Sequence, residues 1–489
     1  MAHSRHVLYA IHENNCFSAQ IEYTFNLVFS IYGIDWRVMS YKELAGAELT
    51  PVSVVISYGE EKPEGSFPHH IHIYESRLFG QDYLELPSMP EAPLKRFNDL
   101  PIIYQGSRQV EAHVRRTESL IETDIDIIAS AFFMLTRYEE VIVDERDKFD
   151  RFPATASLAY KEGFLDRPIV NEYIELLWTW IDSFGLGFQR KNLWEGKDFA
   201  VCLTHDVDRI KKFRIIPPLF TLKRALLRNK SLGEAWMIFS DYIKTTLRMK
   251  DDPYQAAFEK VIDLEKERGV RSSFYFMAHG EDYSIKDSFI VDLIRRLKNG
   301  SFEIGLHGSL NSYNALGALR TEKKKVEEVL GEPVIGSRQH YLRWKTPITW
   351  RSLEKTGIKY DTTLGFADHE GFRCGICCPY RPFDILENRV LDIWEVPLIV
   401  MDESLFGYQN LSLERGWQVM KALIDTVERY RGAFVILWHN SGFYELEHPG
   451  RLDVYKGMLN YLGSKDALHN TILETLGTCL ATAGERDCL

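Results

Sequence analysis

From residue 199 onward the chain alternates short apolar runs with amphipathic helical stretches, a pattern that restricts it to a parallel sheet covered by helices on its faces. The runs fall at Phe199 to Leu203, Val270 to Met277, Phe302 to Leu306, Val334 to Gly336, Ile358 to Asp361, Leu391 to Val396 and Ala433 to Trp438. One intervening helical stretch carries Tyr254, Phe258, Val261 and Ile262 on a single stripe and ends at Gly269; another carries Trp417, Met420, Ile424 and Val427 and ends at Gly432. About seven such units in some 290 residues predict a closed or nearly closed (β/α) barrel rather than an open sheet.

Upstream, β-like runs at His6 to Ile11, Val54 to Tyr58 and His70 to Tyr74 alternate with helical ones, and Asp124 to Glu140 reads as the clearest helix. This predicts a second α/β domain over residues 1–190, with the polar, basic stretch Phe188 to Lys197 as the boundary and the barrel over 198–489. The N-terminal part contains no glycine-rich phosphate loop and no G-x-S-x-G elbow, so no chemistry is assigned to it. His69, His70 and His72 lie in one strand-like segment and read as a partly exposed polar face rather than a metal site.

Composition excludes several classes. With 45% hydrophobic and 26% charged residues the chain is globular, and a net charge of −11 argues against wholesale nucleic-acid binding, which needs clustered cations. No run approaches the roughly 18 apolar residues of a membrane span, and the first residues lack the apolar core of a signal peptide, so a cytoplasmic address is expected. Seven cysteines without framework spacing fit a reducing compartment. The one tight group, Cys374, Cys377 and Cys378, reads as a loop of free or packed thiols.

In a parallel barrel, reactive groups gather at the carboxyl ends of the strands. The residues following the apolar runs are selective: Thr204-His205-Asp206-Val207-Asp208, His307-Gly308-Ser309, Ser337-Arg338-Gln339-His340-Tyr341, Asp361, and His439. That is too much titratable chemistry on one rim to be packing alone. Hydrolysing an amide or ester needs an activated water, a base, a stabilised oxyanion and an acid for the leaving group. Asp206 and Asp208 can point to one side, so that one binds a cation while the other faces the attacking water. His205, between them, is expected to point into the core.

In order, these strings, with Ser273-Phe274-Tyr275-Phe276 and Ile436-Leu437-Trp438-His439, resemble the five motifs of the NodB-homology polysaccharide deacetylases, also called carbohydrate esterase family four, over about residues 199 to 445. Together with Gly371-Phe372-Arg373-Cys374-Gly375, the whole chain looks like a divergent two-domain branch of that family whose N-terminal domain has no known function. The resemblance implies Asp206 as general base, Asp208 and His307 as metal ligands, Arg338 as the residue that orients Asp206, the amide of Tyr341 in the oxyanion hole, His439 as general acid, and Asp361 assisting near His439. It implies a divalent metal, with zinc expected. The family usually supplies a second histidine four residues after the first, and that position here is Asn311. His340 is the candidate third ligand, with Ser309 and waters as the alternative. Trp344 is the expected sugar contact, whereas Trp438 is expected to pack between strand and helix.

Between about residues 209 and 250 the sequence carries an extra segment whose first part holds Arg209, Lys211, Lys212, Arg214, Lys223, Arg224, Arg228 and Lys230 and no acidic residue. Interleaved apolar residues make it amphipathic: a solvated lid or packed helix, or, on a sharper reading, a surface for an anionic membrane or an anionic, lipid-linked substrate. The overall expectation is a metal-dependent hydrolase removing N- or O-acetyl groups from a carbohydrate. Its rivals are a catalytically decayed barrel that binds glycans or an assembly partner, and a hydrolase of another C–N bond.

Overall fold

The computed structural model describes residues 7–44, 49–213 and 232–483. Residues 214–231, with Arg214, Lys223, Arg224, Arg228 and Lys230, lie outside the described residues, so the basic segment is represented only by its start. There Arg209 pairs with Glu281 and Lys212 with Glu447.

The N-terminal α/β domain is built on one sheet. Strands β1 (Leu8–His12), β2 (Trp36–Ser40), β3 (Val54–Gly59), β4 (His70–Tyr74), β5 (Val114–Arg116) and β6 (Leu120–Thr123) run in the order β2-β1-β3-β4-β6-β5. All neighbours are parallel except the final β6–β5 pair. The expected long helix at Asp124 to Glu140 is two helices, α1 (Ile127–Leu135) and α2 (Tyr138–Ile142). Arg137 breaks it in a left-handed conformation (φ 54°), which turns its buried guanidinium back onto Glu139 and Glu140. The histidine strand is a correction as well: His70 and His72 are buried, and the Ser57 hydroxyl lies 2.7 Å from a ring nitrogen of each.

The C-terminal half is a (β/α) barrel. Its strands are β7 (Phe199–Val207), β8 (Ser273–Phe276), β9 (Glu303–Gly308), β10 (Gly336–Gln339), β11 (Tyr360–Asp361), β12 (Trp394–Glu395), β13 (Val400–Met401) and β14 (Ala433–Leu437), in the order β12-β11-β10-β9-β8-β7-β14-β13. Every ladder in it is parallel. A further short strand, β15 (Ala467–His469), pairs with the first residues of β7. All nine residues of β7 are buried, as befits a strand covered on both faces. The run at Val334 to Gly336 only leads into β10, whose ladder begins at Gly336 and carries the polar residues Ser337, Arg338 and Gln339.

Local signals set the helices. Asp252 accepts a hydrogen bond from the amide of Tyr254 (2.9 Å) and, with Pro253 at the first turn, starts α3 (Pro253–Glu267). Tyr254, Phe258, Val261 and Ile262 are the face it buries. Ser412 starts α4 (Leu413–Arg429) in the same way, accepting from Arg415 N.

The two domains are stitched together by backbone and by charge. Val170 N donates to Gly375 O (2.8 Å) and Phe372 N to Leu165 O (2.8 Å). Gly371 (φ 118°) permits this approach, since a Cβ there would meet Leu165 O at 2.3 Å. Beside it, Arg373 from the barrel makes a two-pronged contact to Glu140 (2.9 Å to each oxygen), within a buried network shared with Arg137 and Glu139. Cys374, Cys377 and Cys378 are buried free thiols in this same stretch.

Candidate functional site

The carboxyl ends of the barrel strands converge on a cleft of about 250 Å³ whose wall includes Asp206, Asp208, His307, His340, Tyr341 and His439. Parallel register does this: Thr204 faces Ser273 on one side of β7 and Leu437 on the other, while His307 faces Arg338 across β9 and β10.

Asp208, His307 and His340 each offer a ligand atom, and the three atoms lie within 4.8 Å of one another. The Nε2 atoms of His307 and His340 stand 3.2 and 3.3 Å from Asp208 Oδ1, a buried oxygen that makes no hydrogen bond of good geometry. His307 Nδ1 lies 3.0 Å from the carbonyl oxygen of Arg338. A carbonyl only accepts, so Nδ1 carries a hydrogen and Nε2, aimed at carboxylate oxygens, is the position a proton or a cation takes. Lone pairs facing one another need a proton or a cation between them, and two imidazoles with a carboxylate are a fitting donor set for a divalent metal. Burial draws His340 down to about 4, which keeps it neutral and able to ligate at neutral pH. Burial opposes ionisation of Asp208, yet the three surrounding imidazoles hold its carboxyl well below the usual range. Asn311, where the resemblance calls for a second histidine, is exposed and bonded to Arg343 (3.2 Å) instead.

Asp206 stands beside this group, with His307 Nε2 3.7 Å from its Oδ2. Its other oxygen accepts from Arg338 Nη1 at 3.2 Å, and Arg338 is fully buried, held also by Thr204 Oγ1 (2.6 Å), Thr362 O (3.0 Å) and the face of Tyr275. His205 points away as alternation requires, its ring nitrogens 2.7 Å from Trp438 O and 2.9 Å from Glu265 in the core. Trp438 is fully buried against Phe406, Phe443 and Tyr455.

Opposite, His439 Nε2 lies 3.7 Å from Asp208 Oδ2 and its Nδ1 is 2.6 Å from Asp402 Oδ1. Burial disfavours the imidazolium, but Asp402 at this distance raises His439 to about 10, so it holds a proton at neutral pH. The carboxylate that serves His439 is therefore Asp402 and not Asp361. Asp361 is sealed in the barrel, accepting from Ser337 Oγ (2.6 Å) and Thr363 N (2.8 Å), and burial raises it to about 6. Trp344 is a second correction: it is 2% exposed and packs edge-on against Trp350 (5.2 Å), away from the cleft. Asp402 was missed although its signal was present, an apolar run, Leu398 to Met401, ending in an acid.

Residues 8–185 match a protein-family model described as a family of unknown function, DUF7033. No curated protein matches the chain. Among solved structures, a Mycobacterium smegmatis protein assigned as a polysaccharide deacetylase is 19% identical, with a TM-score of 0.40, over 59% of this chain and 92% of its own. The PuuE allantoinase is 14% identical, with a TM-score of 0.42, over 61% of this chain and 96% of its own. A Bacillus anthracis protein, BA3943, described as a pseudoenzyme of carbohydrate esterase family four, is 11% identical, with a TM-score of 0.30, over 57% and 66%. At these identities and TM-scores the fold is read from this chain's own strand order and the chemistry of the cleft from its own atoms. Among the described residues no helix is long and apolar enough to cross a membrane.

Proposed function

We propose that the barrel is a metal-dependent hydrolase that removes N- or O-acetyl groups from a carbohydrate. One observation carries this: an Asp–His–His donor set with a carboxylate, Asp206, on one flank and a protonated histidine, His439, on the other, all lining one cleft.

Asp208, His307 and His340 would hold the cation, zinc by the preference for mixed nitrogen and oxygen donors. Bound there, it supplies Lewis acidity for water and for the acyl carbonyl. Asp206 takes the proton from the attacking water, and Arg338 fixes its carboxylate so that the free oxygen faces the cleft. The amide of Tyr341 donates to the developing oxyanion. His439 gives its proton to the departing nitrogen or oxygen, while Asp402 fixes its tautomer and stabilises the charged form.

The test is acetate release from N-acetylated chitooligosaccharide and O-acetylated xylan, alongside metal content of the purified protein. One equivalent of metal with acetate release lost in Asp206→Asn is expected. A metal-free protein inert towards both substrates after zinc addition refutes the reading and favours a decayed glycan-binding barrel.

A further inference from the structure

The cleft wall has one strained element. Tyr341 and Leu342 both adopt left-handed backbone conformations (φ 60° and 52°), a region that side chains other than glycine's seldom enter. Such strain persists only where the surroundings over-determine it.

Here the surroundings come from the other domain. The turn 147–151 is bonded to itself: Asp147 accepts from the amides of Phe149 (2.8 Å) and Arg151 (3.0 Å). From it the Phe149 ring stacks on the Tyr341 ring, with centroids 4.8 Å apart and planes at 29°. Arg151 is 5% exposed and its donors are committed. Nε and Nη2 go to Asp147 (2.8 and 2.6 Å), and Nη1 reaches Tyr341 O at 2.9 Å and Tyr408 Oη at 3.3 Å. With each of its three nitrogens engaged by protein, the guanidinium ties the 147–151 turn to the Tyr341 carbonyl. Ring contacts continue inward: the Tyr341 ring lies 4.4 Å from that of His340, tilted at 58°, and the His340 ring meets that of His307 edge-on at 5.2 Å.

We propose that the N-terminal domain positions the catalytic cleft of the barrel: Arg151 and Phe149 clamp Tyr341 in its left-handed conformation and through it fix the His340 ring. Arg151 and Phe149 are positioning residues. The consequence for turnover rests on the hydrolase reading above; the clamp itself does not.

Two measurements on the full chain separate them. Arg151→Ala is expected to raise deuterium uptake of the peptide spanning 339–343 about tenfold in rate, with the β9 peptide unchanged. Its kcat for acetate release from chitopentaose is expected to fall about a hundredfold, as for loss of one oxyanion donor, with KM within about threefold. Arg151→Lys, which keeps the charge but not the fork, covers the case in which the alanine variant fails to fold and is expected to show the same changes, smaller. Unchanged uptake at 339–343 in a folded Arg151 variant overturns the proposal. Raised uptake in a chain inert in every form overturns the hydrolase reading and supports the clamp.

Discussion

His340→Ala is the perturbation that bears most directly on the site. His340 contributes one of three donors that lie within 4.8 Å of one another, and the alanine variant leaves only Asp208 and His307. Changing a residue that merely supports a ligand typically costs about 10–100-fold in metal affinity, so removing a ligand costs at least about 100-fold, or about 2.7 kcal/mol. Proton competition does not blur this at neutral pH, because His340, pulled down to about 4 by burial, is already unprotonated. His307 behaves otherwise: burial works against its charged form, but Asp206 and Asp208 raise its pKa above the ordinary histidine value. A metal at His307 Nε2 competes with a proton there, so affinity tightens as pH rises, in both proteins alike. The assay is zinc titration of chelator-stripped protein against a competing chromophoric chelator, with His279→Ala, an exposed histidine, as control. A His340→Ala dissociation constant within threefold of the unmodified protein's refutes the three-ligand geometry.

Three further outcomes are expected. Asp402→Asn removes the carboxylate that raises His439 to about 10, so the alkaline fall of kcat moves to lower pH by at least about one unit; an unmoved limb excludes the pair from proton transfer. Asp206→Asn retains one equivalent of metal by elemental analysis while kcat drops at least about a hundredfold, and loss of metal instead makes Asp206 a ligand. Glu140, buried between domains, is held at about 2 by Arg373 and Arg137 against its own burial. Its folded pKa is depressed, so its stabilisation is present above about 4.5 and lost as pH falls towards 2. That is on the order of 3 kcal/mol, which Glu140→Gln forfeits at pH 7 but not at pH 2, read as denaturation midpoints.

The barrel was legible because its signals are local. An apolar run followed by a helical stripe specifies a strand and its cover without reference to distant residues, and the parallel rule then puts all carboxyl ends on one rim. Asp206, Asp208, His307, Arg338, His340 and His439 were found by that rule, and the structure gathers them. What failed was anything decided by three-dimensional partners. Trp344 has the chemistry of a sugar platform but a core address, and Asp361 ends a strand like the others yet is sealed by Ser337 and Thr363. Arg137 sits in a strongly helical string, and only its buried partners explain the break there. Arg151 could not be read at all, since its contact with Tyr341 spans 190 residues.

The position of the third donor follows from the ladder itself. His307 and Arg338 are register partners on adjacent strands, and a residue two beyond Arg338 returns to the same face at the next level up. That residue is His340, with its ring 5.2 Å from that of His307. A donor at position 311 would arrive on the loop after β9, and Asn311 there faces solvent and Arg343. The turn that directly follows β10 thus offers an imidazole at the height where the loop after β9 offers none. The cost is that His340 must be held at the mouth of a strained, left-handed turn, where a strand end alone would let it swing. A site built this way needs an external brace, and the segment that stacks on Tyr341 belongs to the N-terminal domain.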